Sequence, residues 1–194
     1  MRTIIATGNK NKVREFAEIL PELDAVTMRE AGFDGEIEET GSTFQENAYI
    51  KARTVWEKTG GLVIADDSGL SVDALGGEPG LYSARYLGEE TSYADKCRGI
   101  LERMKGVKDE NRSARFTSAI CAILPDGSVI HTEGTMEGVI AAAPAGANGF
   151  GYDPILLLPE CGKTAAELSS EEKNRISHRG KALRALAKKL REVL

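Results

Sequence analysis

Two rhythms of apolar residues run along the chain and divide it into strands and helices. Thr3-Ile4-Ile5-Ala6 is a short apolar run that predicts a first strand. After a polar loop from Thr7 to Lys12, the apolar positions of Val13 to Leu20 recur at helical spacing, and Pro21 stops them. A weak strand at Ala25-Val26-Thr27 precedes an acidic segment, Glu36 to Gly41. Thr43-Phe44-Gln45-Glu46 then shows the Thr-x-x-Glu pattern of a capping box. The helix it starts, to about Lys58, places Phe44, Ala48, Ala52, Val55 and Trp56 on one face. Asn47 and Lys51 lie one turn apart on its polar face and can look toward the same place.

The next run, Leu62-Val63-Ile64-Ala65, follows Gly60-Gly61 and reads as a buried strand that ends at Asp66-Asp67-Ser68-Gly69. Ligands of open α/β sheets bind beyond the carboxyl ends of strands. Acids delivered there can hold a divalent metal and accept a proton from water. Side chains alternate along a strand, so Asp66 and Asp67 should not both enter one cleft; one is expected to be chemical and the other structural. The same four residues are also good turn chemistry, and this stretch alone does not choose between the two readings.

Beyond it, Ser71 to Tyr86 reads as a long Gly- and Pro-punctuated loop with a short helical piece at its end, of the kind that is often functional. A helix is predicted from about Ser92 to Met104. Ala114 to Leu124 and Ser128 to Gly134 form a hairpin about Pro125-Asp126-Gly127, so the sheet is expected to be mixed. His131 alternates with apolar neighbours and reads as a surface strand residue. Pro144 to Pro154 surrounds Phe150 with glycines, which suits either a close-approach loop with a stacking ring or a plain turn with Phe150 in the core. A strand at Ile155 to Leu158 follows. Ser169-Ser170-Glu171-Glu172 opens a helix carrying Lys173, and the last helix turns Leu183, Leu186, Ala187, Leu190 and Leu194 inward.

Composition narrows the class. The 194 residues, 41% hydrophobic and 28% charged, predict one compact domain over 1–194 with a substantial core. A formal net charge of −5 argues against a dedicated binder of polymeric nucleic acid. Cys97, Cys121 and Cys161 are isolated and read as reduced, mostly buried thiols of a cytoplasmic protein. The amino-terminal apolar run is too short for a signal peptide, and nothing approaches a membrane span.

The strand, glycine turn and helix start at Thr7-Gly8-Asn9-Lys10-Asn11-Lys12 can favour an anion through backbone N–H groups, with Lys12 adding charge. It is not a P-loop, and a plain strand-to-helix connection explains the segment as well. Glu38 and Glu39 read as solvated charge unless the fold brings them to Asp66 and Asp67. Ser177-His178-Arg179 gives adjacent donors suited to a purine edge, or a surface cap. No Cys or Ser partnered by a His is apparent, which favours direct attack by water over a covalent intermediate.

Five stretches occur in order: Thr7-Gly8-Asn9-x-x-Lys12, Glu39-Thr40-Gly41-x-Thr43-Phe44-x-Glu46-Asn47-Ala48, Ala65-Asp66-Asp67-Ser68-Gly69-Leu70, Gly149-Phe150-Gly151-Tyr152-Asp153-Pro154 and Ser177-His178-Arg179-Gly180. Together they resemble the inosine triphosphate pyrophosphatase family over nearly the whole chain. The resemblance implies a two-lobed α/β fold around a long mixed sheet flanked by helices, with the substrate in a cleft between the lobes, and a homodimer. It also implies Mg²⁺-dependent hydrolysis of ITP, dITP or XTP to the monophosphate and pyrophosphate. By the same resemblance, Thr7, Gly8, Asn9, Lys10, Asn11 and Lys12 hold the phosphates, and Glu38 with Asp67 holds Mg²⁺, the choice between Glu38 and Glu39 staying open. Asp67 is the implied proton acceptor and Ser68 a substrate contact. Phe150, Gly151, Tyr152, Asp153, Lys173, His178 and Arg179 are the implied surroundings of base and sugar. Donors there would pair with the 6-carbonyl of hypoxanthine or xanthine and meet an adenine amino group unproductively.

Overall fold

The computed structural model describes residues 2–193, so Leu194 of the predicted inward face lies outside the described residues. Among the described residues, seven strands make one sheet in the order β2-β1-β3-β4-β5-β6-β7. They are β1 (Arg2–Ile5), β2 (Asp24–Thr27), β3 (Leu62–Val72), β4 (Ser113–Ile123), β5 (Val129–Ile140), β6 (Leu156–Leu158) and β7 (Lys163–Thr164). Five helices accompany them: α1 (Lys10–Ile19), α2 (Phe44–Thr59), α3 (Tyr93–Arg103), α4 (Ser170–Ile176) and α5 (His178–Val193). β1 pairs in parallel with β2 and β3, whereas β6 pairs antiparallel with β5 and β7, so the mixed sheet expected from the hairpin is present. Among the described residues no helix is long and apolar enough to cross a membrane.

The chain forms two compact units. One comprises the residues up to Asp67, Ser118–Gly134 and those from His178; the other comprises Ser68–Thr117 and Thr135–Ser177.

In the first unit, alternation along the strands sorts the core into two layers. Ile5, Leu62, Ile64, Ile120 and Ala122 pack with Phe16 of α1 and Leu183, Leu186 and Leu190 of α5. Their neighbours in sequence, Ile4, Val63, Ala65, Cys121 and Ile123, pack with Ala48, Ala52 and Val55 of α2. Both faces of these strands are buried, which is why they read as continuous apolar runs instead of alternating ones. The helices begin at side-chain caps. Asn9 accepts from the N–H groups of Asn11 and Lys12, and Thr43 accepts from that of Glu46.

In the second unit, Leu70, Val72, Phe116, Met136 and Ile140 pack against Cys97, Ile100 and Met104 of α3 and against Tyr152, Ile155 and Leu156. The segment expected as one long loop is more ordered. β3 continues to Val72, and single 3₁₀ turns at Asp73–Leu75 and Gly80–Tyr82 follow. Cys97 and Cys121 are buried, Cys161 is exposed, and all three are unpaired with one another.

Candidate functional site

β3 does not end at the two acids. It runs through them, and Asp66 and Asp67 are 1% and 6% exposed in its middle. A carboxylate survives there only with partners that repay its lost hydration. Each acid finds them on the face that alternation gives it.

Asp66 continues the Leu62–Ile64 side, toward α1 and α5. The Lys12 ammonium lies 2.6 Å from its Oδ2, the Arg179 guanidinium lies 3.2 Å from the same oxygen, and the Ser118 hydroxyl donates to Oδ1. Arg179 also donates to the carboxylate of Glu15, so two cations and two anions neutralise one another out of water. Burial pushes the Asp66 carboxyl up, but Arg179 and Lys12 overcome it and hold the group well below the usual carboxylate range. Burial draws the Lys12 ammonium below its ordinary value, against the pull of Asp66.

Asp67 continues the Val63–Ala65 side, toward α2. Its Oδ2 accepts from the Asn47 amide at 3.2 Å and its Oδ1 from Lys51 at 3.0 Å. The same ammonium lies 2.6 Å from Glu39 Oε1, so Lys51 bridges two carboxylates. Here the balance is reversed. Burial raises the Asp67 carboxyl above its ordinary value, Glu39 adds to the rise, and Lys51 and Lys12 oppose it without cancelling it. Lys51 itself is held above its ordinary value: burial lowers it, but Asp67 and Glu39 outweigh that. Two adjacent residues of identical chemistry thus differ in kind, one locked as an anion and the other basic for a carboxylate.

Of the two neighbouring glutamates, Glu39 meets the Asp67 group, whereas Glu38 is exposed. Asn47 and Lys51 do look to one place, but from a buried face of α2. The phosphate-suited connection is more self-contained than expected. Asn9 accepts the amides of Asn11 and Lys12, and its own N–H donates to Thr7 Oγ1 at 3.2 Å. Gly8 keeps open space around it, since a Cβ there would meet no atom within 4 Å, while Lys10 is exposed. Arg179, expected at a purine edge, has its guanidinium on Glu15 and Asp66 and is 1% exposed. His178 is buried at the start of α5. Glu15 and Ser118 gave no sign in the sequence, because a lone Glu in a helix and a lone Ser in a strand carry none.

In the second unit, Phe150 is half-buried and Ser68 lies half-buried in β3. The Lys173 ammonium sits 4.7 Å from the centroid of the Phe150 ring and 2.6 Å from Asp153 Oδ2, and that oxygen also accepts the Phe150 N–H at 2.8 Å. Gly149 makes this possible. Its φ is +70°, and a Cβ there would fall 2.0 Å from Asp153 Oδ2. Tyr152 points away into the core, edge-on to Tyr93, with its hydroxyl donating to the Ser83 carbonyl at 2.7 Å. These contacts anchor the loop.

The fold and its acid pair define an α/β protein with a charged centre built into an inner strand of a mixed sheet. The profile of the Ham1 family matches residues 3–189, and the chain belongs to that family. A dITP/XTP pyrophosphatase of Bacillus licheniformis is 52% identical over 186 residues, covering 95% of each chain. One of Bacillus subtilis is 50% identical over 189 residues, covering 96% of each. Among solved structures, the Ham1 protein of Staphylococcus aureus matches with a TM-score of 0.89 at 41% identity over 99% of both chains.

Proposed function

We propose that this protein is a nucleoside triphosphate pyrophosphatase that hydrolyses the noncanonical purine nucleotides ITP, dITP and XTP to the monophosphate and pyrophosphate, with Mg²⁺ as cofactor. The observation that carries the reading is the unequal state of the two acids in β3, with Asp67 raised and Asp66 locked. The names of the Bacillus relatives support the substrate class.

In this reading water attacks the α-phosphorus while its proton passes to a carboxylate oxygen of Asp67. A bond from water oxygen to phosphorus forms, the bond from phosphorus to the bridging oxygen breaks, and pyrophosphate leaves. A carboxyl raised above its ordinary value is a better base than a free aspartate. Lys12 and the open backbone at Gly8 receive the anionic phosphates, with Thr7, Asn9, Lys10 and Asn11 shaping that connection. Asp66 keeps Lys12 charged and pointed, and Arg179 acts through Asp66. Phe150 stacks on the base. Lys173, Asp153, Gly151 and His178 serve base and sugar, Ser68 contacts substrate, and Tyr152 holds the loop.

The donor set suits Mg²⁺. Glu39 and Asp67 offer hard oxygens brought together around one cation, the Lys51 ammonium. Among the described residues no group of three or more His, Cys, Asp or Glu converges on one point. Mg²⁺ commonly takes only one or two carboxylates and completes its shell with phosphates and water, so two acids suffice. In this reading Glu39 stands beside Asp67 as the ligand pair, and exposed Glu38, one residue earlier, is the alternative. Bound there, the metal would offset phosphate charge and make a coordinated water easier to deprotonate. Excess EDTA is expected to stop turnover, and Mg²⁺ to restore it; steady turnover in EDTA would remove the metal from the reaction. A homodimer, for which exposed Tyr82 and Leu87 offer apolar contact, and a cytoplasmic location complete the reading.

Purified protein incubated with Mg²⁺ and a panel of nucleotides tests the proposal, with pyrophosphate and orthophosphate assayed separately. Pyrophosphate released from dITP, ITP and XTP well ahead of dATP and dGTP is the expected result. Orthophosphate as first product would mean a phosphatase, and no release of either would mean a nucleotide binder. Phe150→Ala is expected to raise KM for purine substrates by the loss of stacking, about 1–3 kcal/mol per base. An unchanged KM would place the ring in the core instead.

A further inference from the structure

One buried side chain joins the segments that carry the two proposed metal acids. Asn47 is 1% exposed and uses both ends of its amide. Its Oδ1 accepts the N–H of Gly41 at 2.8 Å, and its Nδ2 donates to Asp67 Oδ2 at 3.2 Å. Gly41 lies two residues after Glu39, so the amide ties the Glu39 segment to the acid in β3. Its orientation is forced: a backbone N–H only donates and an ionised carboxylate only accepts, so the oxygen must face Gly41 and the nitrogen Asp67.

The surroundings leave this link little freedom. A Cβ at Gly41 would lie 2.7 Å from Asn47 Oδ1 and 2.9 Å from the Asn47 backbone nitrogen, so only glycine lets the two segments come this close. The Ser42 N–H and hydroxyl both reach Glu46 at 2.7 Å, and Thr43 caps the Glu46 N–H, fixing the turn between Gly41 and Asn47. Lys51 spans the same pair of acids, but through a long side chain with many rotamers. Asn47 does so with two side-chain torsions.

We propose that Asn47 is a positioning residue that sets the spacing of Glu39 and Asp67, so that the pair is preformed for a divalent cation; this rests on the functional reading above. Groups that orient metal ligands commonly change metal affinity or activity by about 10–100-fold when removed. Asn47→Leu removes both hydrogen bonds at similar volume. Gly41→Ala displaces the amide from its far end without touching either acid.

The test is Mn²⁺ binding to the nucleotide-free protein, read from the spectrum of unbound Mn²⁺, together with kcat and KM for dITP at saturating Mg²⁺. Both variants are expected to bind Mn²⁺ about 10-fold or more weakly and to lose kcat by a similar factor, with KM within about twofold. A purely structural role would lower the melting temperature and leave metal affinity in place. Folded Asn47→Leu with wild-type Mn²⁺ affinity and kcat overturns the proposal. If that variant does not fold, Gly41→Ala decides it by the same criterion. Wild-type protein that neither binds Mn²⁺ nor releases pyrophosphate would instead overturn the functional reading, and this inference with it.

Discussion

Asp67→Asn is expected to lower kcat for dITP by about 10²–10⁴-fold, the usual contribution of a positioned general base. The fold should be untouched. Asparagine has the same shape, and its amide oxygen can still accept from Lys51; its NH2 then replaces the oxygen that accepts from Asn47 at 3.2 Å, so one hydrogen bond is lost. The native carboxyl is raised by burial, so neutralising it relieves a desolvation cost instead of breaking a favourable balance, and Lys51 keeps Glu39 as its counter-ion. The two effects offset one another, so thermal denaturation without metal should show a melting temperature close to that of the wild type. Turnover within a few-fold of wild type would remove Asp67 from the chemistry. A large loss of stability would mean that it is a structural acid.

Asp66→Asn, one residue earlier and chemically the same change, is expected to do the opposite to stability. It removes the carboxylate that Lys12 and Arg179 share, while Glu15 stays on Arg179. Removing one partner of a buried ion pair costs about 3–5 kcal/mol, because the remaining charge stays out of water. In a chain of this size that corresponds to a melting temperature lower by roughly 6–20 °C. The pH dependence adds a second signature. The folded Asp66 carboxyl sits well below its unfolded value of about 3.9. Its contribution is therefore fully present above that value and lost as pH falls through the folded one. The variant should lack this part of the acid-induced loss of stability, so its difference from wild type should shrink below about pH 4. Equal stability of the two proteins at neutral pH would refute the charge network as a source of stability.

Much of this centre could be read from residue order alone, and the reasons for the gaps are specific. Alternation along a strand predicted that Asp66 and Asp67 would not both enter one cleft, and they face different partners, because a pleated strand sends successive side chains to opposite faces. The same sequence predicted a stop at Asp66. That prediction fails because turn-forming residues end a strand only where nothing offsets their burial, and here four partners do so: half-buried Lys12 and buried Arg179, Asn47 and Lys51. The spacing of Asn47 and Lys51 pointed to one target, yet their face was expected to be wet, since amide and ammonium groups seldom go inside without partners distant in sequence. Glu38 and Glu39 could not be told apart by pattern, because only the path of the segment before α2 decides which of the two faces Lys51. Arg179 was expected at a ligand because a charged side chain beside a helix start is ordinarily accessible. Its burial depends on Glu15, 164 positions away in the chain.

The passage of β3 through both acids also restricts how its length can change. Deleting or inserting a single residue between Gly61 and Asp66 would turn each carboxylate to the opposite side of the sheet, handing one the lysine–arginine cluster and the other the asparagine–lysine pair. Because both positions hold aspartate, the doublet itself would still read as intact in such a variant, while any apolar residues between the change and the doublet would face the wrong helices. Changes in this stretch are thus tolerable only in pairs, a counting rule that a designer grafting the doublet onto another sheet would have to obey.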